Sequence, residues 1–263
     1  MNLKTFFLYI LLLSVLVSCH QTKTPIATKS DGKKKEQVVL PTSLALPSDT
    51  SSYDSPSFAD RTKEQTQQLM KMNNEGLFDK LHRKLTTALS ADQKDYFLGH
   101  PNLAVLAIAK GNIFENGSGD LGYILYNKDN HRIEITLFDH KSNTYNTLYK
   151  ELKVVNTLQN LDCSSSFGSL DYLVASELIY QKHYIRLNNS NYLIDDNSFN
   201  VTDISTNKSF DLQQGCLNKK FSKEAMANSL CVPTSSVYAN FQCLKYNKKK
   251  HIFEIYFSQE FAD

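Results

Sequence analysis

The chain has 263 residues, 41% of them hydrophobic, and its 29 basic and 27 acidic side chains leave a formal net charge of +2. Residues 1–58 carry this excess, so the charges of residues 59–263 sum to zero. Because proteins bind nucleic acids largely by neutralising phosphates, this composition excludes nucleic acid as the expected partner. Residues 59–263 are enough for one substantial domain, and no repeat of fixed period is visible in them.

The chain begins with the features of a secretory signal. Lys4 supplies a positive charge, an apolar run follows over residues 6–17, and the small residue Ser18 precedes Cys19. This order predicts a signal peptide over residues 1–18. The apolar run is too short for a membrane-spanning helix, which needs about 20 apolar residues.

Leu16, Val17, Ser18 and Cys19 resemble the lipobox of bacterial lipoproteins. The resemblance implies cleavage before Cys19, a diacylglycerol on its sulfur and an acyl chain such as palmitate on its amine. Two or three such chains would hold the protein stably on a membrane. His20, rather than Asp, follows the cysteine, which by the same resemblance implies the outer membrane. The alternative is an ordinary secretory signal followed by an unmodified cysteine.

Residues 19–58 are predicted to be the lipidated Cys19 and a disordered tether. Four of the six prolines fall in this stretch, among many Ser and Thr residues and the lysines of residues 33–35. Such a segment has too little apolar surface to offset the entropy of ordering it. A coil of this length reaches roughly 35 Å, enough to separate a domain from a membrane surface.

Residues 59–263 are predicted to form a single α+β domain that opens with helices. A polar helix is expected over residues 61–75, and Gly76 separates it from an apolar stripe at every fourth residue: Leu77, Leu81, Leu85 and Leu89. Ser90 and Gln93 resemble a capping box, which predicts a short helix that ends near Gly99.

A mainly antiparallel sheet or meander is expected to follow. Strands are predicted over residues 103–109, 123–126, 132–138, 170–180, 184–187, 192–194, 199–204, 209–212, 237–244 and 252–257. Turns rich in Asn, Asp and Ser separate several of them, including residues 127–130. A short helical segment is expected around residues 223–230.

Residues 117–122 match the Gly-x-Gly-x-x-Gly pattern of dinucleotide sites. In such a site the third glycine opens a helix, whereas here the sequence after Gly122 is typical of a strand. We therefore interpret Gly117 and Gly119 as part of a turn, and we expect no cofactor.

Four cysteines follow Cys19, namely Cys163, Cys216, Cys231 and Cys243. An even number in an exported chain makes two disulfides possible. We favour the pairs Cys163–Cys216 and Cys231–Cys243, and four free buried thiols are the alternative. These four cysteines form no Cys-x-x-Cys pattern and none has a histidine close to it in sequence, so no metal site is expected.

No pattern of a hydrolase is convincing in this sequence. Gly-x-Ser-x-Gly and His-Glu-x-x-His are absent, although members of a triad come from distant positions. His82 lies beside the leucine stripe and is interpreted as an ordinary histidine on a helix surface. The other domain histidines are interpreted as solvated residues beside turns or on strands: His100, His131, His140, His183 and His251. No catalytic residue is assigned.

The expected function is that of a lipid-anchored cell-envelope protein that binds without catalysis. Its expected partners are the membrane, through the lipid, and a protein, toxin or glycan of the envelope. The alternative is an envelope hydrolase acting on a glycan, peptide or ester. An aromatic-rich sheet face would favour binding, whereas a pocket with convergent titratable groups would favour hydrolysis.

Overall fold

The computed structural model describes residues 56–117, 119–157, 169–208, 210–212, 222–236 and 240–260. These residues belong to one compact unit, Leu44–Asp263. Cys19, the signal peptide, the tether up to residue 55, Cys163 and Cys216 lie outside the described residues.

Three helices come first: α1 (Pro56–Asn74), α2 (Leu77–Thr86) and α3 (Ala91–Gly99). The capping box is confirmed, because the Gln93 amide donates to Ser90 Oγ and the Ser90 amide donates to Gln93 Oε1. The leucine stripe is only partly helical. Helix α2 ends at Thr86, so Leu89 is buried from the connection to α3 rather than from α2.

Sheet 1 is antiparallel, with strand order β1 (Leu103–Gly111), β2 (Asp120–Asn127), β3 (Arg132–Asp139) and β4 (Thr144–Thr147). The predicted hairpin over residues 123–138 is confirmed as β2 and β3. Ile133, Ile135 and Leu137 are buried, as expected. Strand β4 is an additional element that the sequence did not indicate.

Sheet 2 has the order β5 (Val154–Asn156), β10 (Ile252–Glu260), β9 (Asn240–Asn247), β8 (Ser229–Ser235) and β6 (Asn200–Thr202), and β7 (Phe210–Leu212) also pairs with β10. Only β5 pairs in parallel among these strands. The class is therefore α+β with mainly antiparallel sheets, which confirms the prediction.

The prediction of strands between residues 170 and 194 is wrong. This segment forms α4 (Leu170–Tyr180), α5 (Lys182–Asn188) and α6 (Tyr192–Asp195). Among the alternating residues only every fourth one, Leu170, Val174 and Leu178, is fully buried, while Tyr180 is 71% exposed. A spacing of four places three buried residues on one helix face, so the helical period prevails over the period of two.

The helix expected around residues 223–230 is also largely wrong. Only Lys223–Met226 is helical, as one 3₁₀ turn, and the chain then enters strand β8. Leu230, Cys231 and Val232 are all fully buried in that strand. Apolar contacts on both faces of the sheet thus override the local helical preference.

The main core lies among the helices and the inner faces of both sheets. It joins Leu81 of α2, Leu178 of α4, Ile124 of β2 and Leu244 of β9. A second, smaller core lies on the outer face of sheet 1, where Phe97 of α3 covers part of that face. The candidate site lies on the remainder of this outer face.

The hairpins β2–β3 and β9–β10 are copies of one sequence pattern. Residues 126–135 and 246–255 are identical at six of ten positions, in the pattern Tyr-Asn-Lys-x-x-His-x-x-Glu-Ile. Their registers agree: Tyr126 pairs with Ile133 in the first hairpin, and Tyr246 pairs with Phe253 in the second. The two hairpins therefore share one spaced pattern at an offset of 120 residues, which is not a repeat of fixed period along the chain.

The repeated side chains make the same hydrogen bonds in both copies. Tyr126 Oη lies 2.9 Å from His131 Nδ1, and Tyr246 Oη lies 3.1 Å from His251 Nδ1. Both histidines have a positive φ, 57° and 53° respectively. A shared turn conformation and a shared Tyr–His contact explain why these residue types recur together, and they give both histidines a structural role.

Candidate ligand groove

A groove of about 1380 Å³ lies on the outer face of sheet 1. Its floor is a row of directly paired residues, one from each strand, in the order Lys110, Leu121, Phe138 and Tyr145. Adjacent strands lie about 4.8 Å apart, so this row is roughly 14 Å long. We call it the groove floor.

The wall of the groove comes from the end of α2 and the start of α3. Leu85, Ala88 and Leu89 supply its apolar part, and Asp92 and Tyr96 belong to α3. The capping box fixes where α3 begins, and α3 then packs its Phe97 ring against Tyr123, with 5.3 Å between ring centroids. α3 covers the Tyr123 end of the sheet, and the groove lies over Leu121 and Phe138, which are each 6% exposed.

Aromatic rings close the groove at the β4 side. Tyr96 stacks on Tyr145 with 3.5 Å between centroids, and His100 stacks at 4.2 Å from Tyr96. Burial raises the pKa of Tyr145 to about 12, and burial also raises the pKa of Tyr96. Both phenols therefore stay protonated and uncharged at neutral pH.

The charged side chains of the groove are separated from one another. Lys110 ends the floor on β1 and Lys84 comes from the last turn of α2, whereas Asp92 lies in the first turn of α3. Within the described ranges, Lys84, Lys110 and Asp92 form no salt bridge. His140 is exposed in the groove lining beside Gly119. A Cβ added to Gly119 would lie 3.2 Å from the His140 ring.

The most perturbed carboxyl group of the described chain lies elsewhere. Desolvation raises the pKa of Asp171, in the first turn of α4, to about 7. Asp171 Oδ1 is enclosed and has no hydrogen-bond partner among the described residues. Asp171 does not line the groove, so it is not positioned to act on a ligand held there.

His82 is not an ordinary surface histidine, contrary to the expectation from sequence. It is half-buried, and the Val105 amide donates to its Nδ1 at 3.1 Å. Burial lowers the pKa of His82, which keeps the ring neutral and able to accept this bond. His82 thereby fastens α2 to β1, the strand that carries Lys110.

The glycine pattern lies between strands, as the turn interpretation expects. Gly117 and Gly119 come between β1 and β2 with φ values of 145° and 123°, and Gly122 lies inside β2. No helix follows Gly122, so the pattern does not build a dinucleotide site. Among the described residues, no group of three His, Cys, Asp or Glu side chains is placed to hold a metal ion.

The structure contains a Cys231–Cys243 disulfide, one of the two pairs that we favour from the sequence. These cysteines face each other across β8 and β9. No helix among the described residues is long and apolar enough to span a membrane.

A second, smaller cavity of about 330 Å³ is lined mainly by residues of α6, β6, β7, β8 and their connections. Phe241, which lines it, stands 120 residues after Leu121, the same offset as between Tyr126 and Tyr246. Its lining is richer in amides and hydroxyls, among them Asn197 and Ser235.

Comparison with family models, with curated proteins and with solved structures found no match to this chain. Sequence analysis did not identify the groove residues. The available signal was that Leu121, Tyr123 and Leu125 are apolar on one face of β2 while Ile124 and Tyr126 are apolar on the other. A strand that is apolar on both faces indicates a second covered surface.

Proposed function

We propose that this chain is a lipid-anchored protein of the bacterial cell envelope, held at the outer membrane through Cys19, and that it binds an envelope protein or glycan in the groove without catalysis. The lipobox-like residues before Cys19 support the anchor. The groove supports the binding role, since ligand sites are concave and mostly apolar with a few polar groups.

The observation that carries the proposal is the composition of the groove floor. Leu121 and Phe138 form its centre, and its one charged member, Lys110, lies at the β1 end. A hydrolase needs a nucleophile, or a water, beside a positioned acid or base. Asp92 and Lys110 lie on different sides of the floor, and Asp171 is outside it. This arrangement suits retention of a ligand rather than its cleavage.

The test places a photo-crosslinking residue at position 88 of the chain in intact cells. Ala88 is exposed and lines the groove, whereas the neighbouring exposed Thr87 does not. If the ligand is a protein, we expect a discrete crosslinked protein at position 88 and none at position 87. If it is a glycan, we expect binding on a glycan array that Ala88→Tyr abolishes and Thr87→Tyr preserves. Absence of both results would contradict the proposal.

A further inference from the structure

We propose that the ligand of the groove is a peptide segment of a partner protein in which apolar side chains accompany a carboxylate. This inference rests on the proposed function and names its ligand class. Three features of the groove support it: the length of its floor, the two lysines without a salt bridge on one side, and the aromatic rings whose faces are covered by other rings.

The floor fits an extended chain. A row of roughly 14 Å corresponds to about four residues of a β-strand, each rising about 3.3 Å. The half-buried Ile108 and Leu85 offer most of the apolar contact, and the buried Leu121, Phe138 and Leu89 add the small part of their surface that remains exposed. Burying apolar side chains of a peptide against such a surface is favourable at about 25 cal/mol per Å².

The charges of the groove select an acidic segment. Lys84 and Lys110 both lie on the β1 side, since α2 packs on β1 and Lys84 is in its last turn. Neither lysine forms a salt bridge within the described part of the chain. The one acid, Asp92, lies in the first turn of α3, where the helix dipole already stabilises a negative charge. Lys84 also acts electrostatically on Asp195, which is outside the groove lining, whereas no such carboxylate accompanies Lys110 among the described residues. A ligand carboxylate would therefore complement Lys110 first, with Lys84 on the same side of the floor.

The aromatic rings do not suit a sugar. Sugars bind proteins by stacking on free ring faces, but Tyr96 lies between Tyr145 and His100, with 3.5 and 4.2 Å between the respective centroids. Tyr145 in turn has Tyr96 on one face and packs against Phe138 with centroids 4.8 Å apart. The rings therefore offer edges and hydroxyls to a ligand, which favours a peptide over a glycan.

The experiment selects binders from a displayed library of random dodecapeptides on the unlipidated mature chain, with Cys19→Ser. Enriched peptides should place Asp or Glu beside Leu, Ile or Phe. For a representative peptide, the double variant Lys84→Gln, Lys110→Gln should weaken binding roughly fivefold or more, and added salt should do the same. Lys94→Gln, an exposed lysine of α3 outside the groove, is the matched control and should leave the affinity unchanged.

The outcomes separate the two proposals. Peptides that are acidic and apolar, and that lose affinity in the double variant and in Ala88→Tyr, support the inference. Enrichment of neutral or basic peptides, no enrichment, or an Ala88→Tyr-sensitive glycan overturns it. If a neutral or basic peptide, or a glycan, binds the wild type and loses affinity in Ala88→Tyr, the inference about the ligand class fails but the proposed binding function stands. If Ala88→Tyr affects neither peptide binding, glycan binding nor crosslinking at position 88, both proposals fail.

Discussion

The phenol ring of Tyr96 lies flat against that of Tyr145, with 3.5 Å between the centroids and 6° between the ring planes. Tyr96 belongs to α3 and Tyr145 to the edge strand β4. The pair therefore fastens the helix to the outer face of sheet 1 and closes one side of the groove.

Tyr145→Ala should lower the free energy of unfolding by about 2–4 kcal/mol, because it removes a half-buried ring and the stacking contact of that ring with Tyr96. Tyr145→Phe keeps the ring and should cost about 1 kcal/mol or less. Urea denaturation of both variants measures the difference. Equal losses in the two variants would show that the hydroxyl, rather than the ring stack, holds α3.

Asp171 should make stability depend on pH. The pKa of Asp171 is about 7 in the folded chain, against an ordinary value of 3.8. As the pH rises, the Asp171 carboxyl therefore loses its proton in the unfolded chain before it does so in the folded chain. The stability that Asp171 contributes is full below about pH 4 and is lost as the pH rises through 7. Relative to wild type, Asp171→Asn should gain about 3 kcal/mol between pH 4.5 and pH 8. Asp95→Asn, an exposed acid on α3, should show no such trend.

Gly111 should tolerate no side chain. A methyl group there would lie 2.5 Å from Cβ of Val201, because β1 packs closely on β6. Gly111→Ala should therefore cost about 1–3 kcal/mol of stability through overpacking, measured by denaturation. Adding Val201→Ala should recover part of that loss. Gly99→Ala, with nothing within 4 Å of the new methyl, should not destabilise the chain by this mechanism.

The sequence predicted those elements whose signal is local. The capping box of Ser90 and Gln93 sets the start of α3, because both of its hydrogen bonds form within four residues. The hairpin of β2 and β3 was equally readable from its turn. The stretch from Leu170 to Tyr180 was not, since its apolar residues satisfy the periods of strand and helix at once. Tertiary packing decides between the two.

The groove depends on contacts between residues distant in sequence. Its floor pairs Lys110 with Leu121, and Phe138 with Tyr145, through registers that no local pattern specifies. The hairpin repeat was visible in the sequence, but it is a single spaced pattern at an offset of 120 residues rather than a tandem array. Comparing the residues that flank each histidine would have found it.

The Cys231–Cys243 disulfide should contribute to stability through the unfolded state. The two residues are 12 apart, and closing so short a loop is worth about 3 kcal/mol in the chain-entropy model. Cys231→Ala together with Cys243→Ala should lower the melting temperature by several degrees. A melting temperature that is the same for the double variant and for wild type, oxidised or reduced, would contradict this.

The proposal that Cys19 is lipidated is tested by Cys19→Ala. The lipoprotein pathway modifies a cysteine thiol before cleavage, so the variant should accumulate as an unlipidated precursor of higher apparent mass. Labelling cells with a fatty acid should mark the wild-type chain and not the variant, and membrane fractionation should place the wild type in the outer membrane. Replacing a cysteine outside the signal, in Cys231→Ala, is the control and should leave labelling intact. The lipid anchor would be contradicted if the label marked the wild type and Cys19→Ala to the same extent, or marked neither. The groove would then belong to a protein released from the membrane rather than held on it.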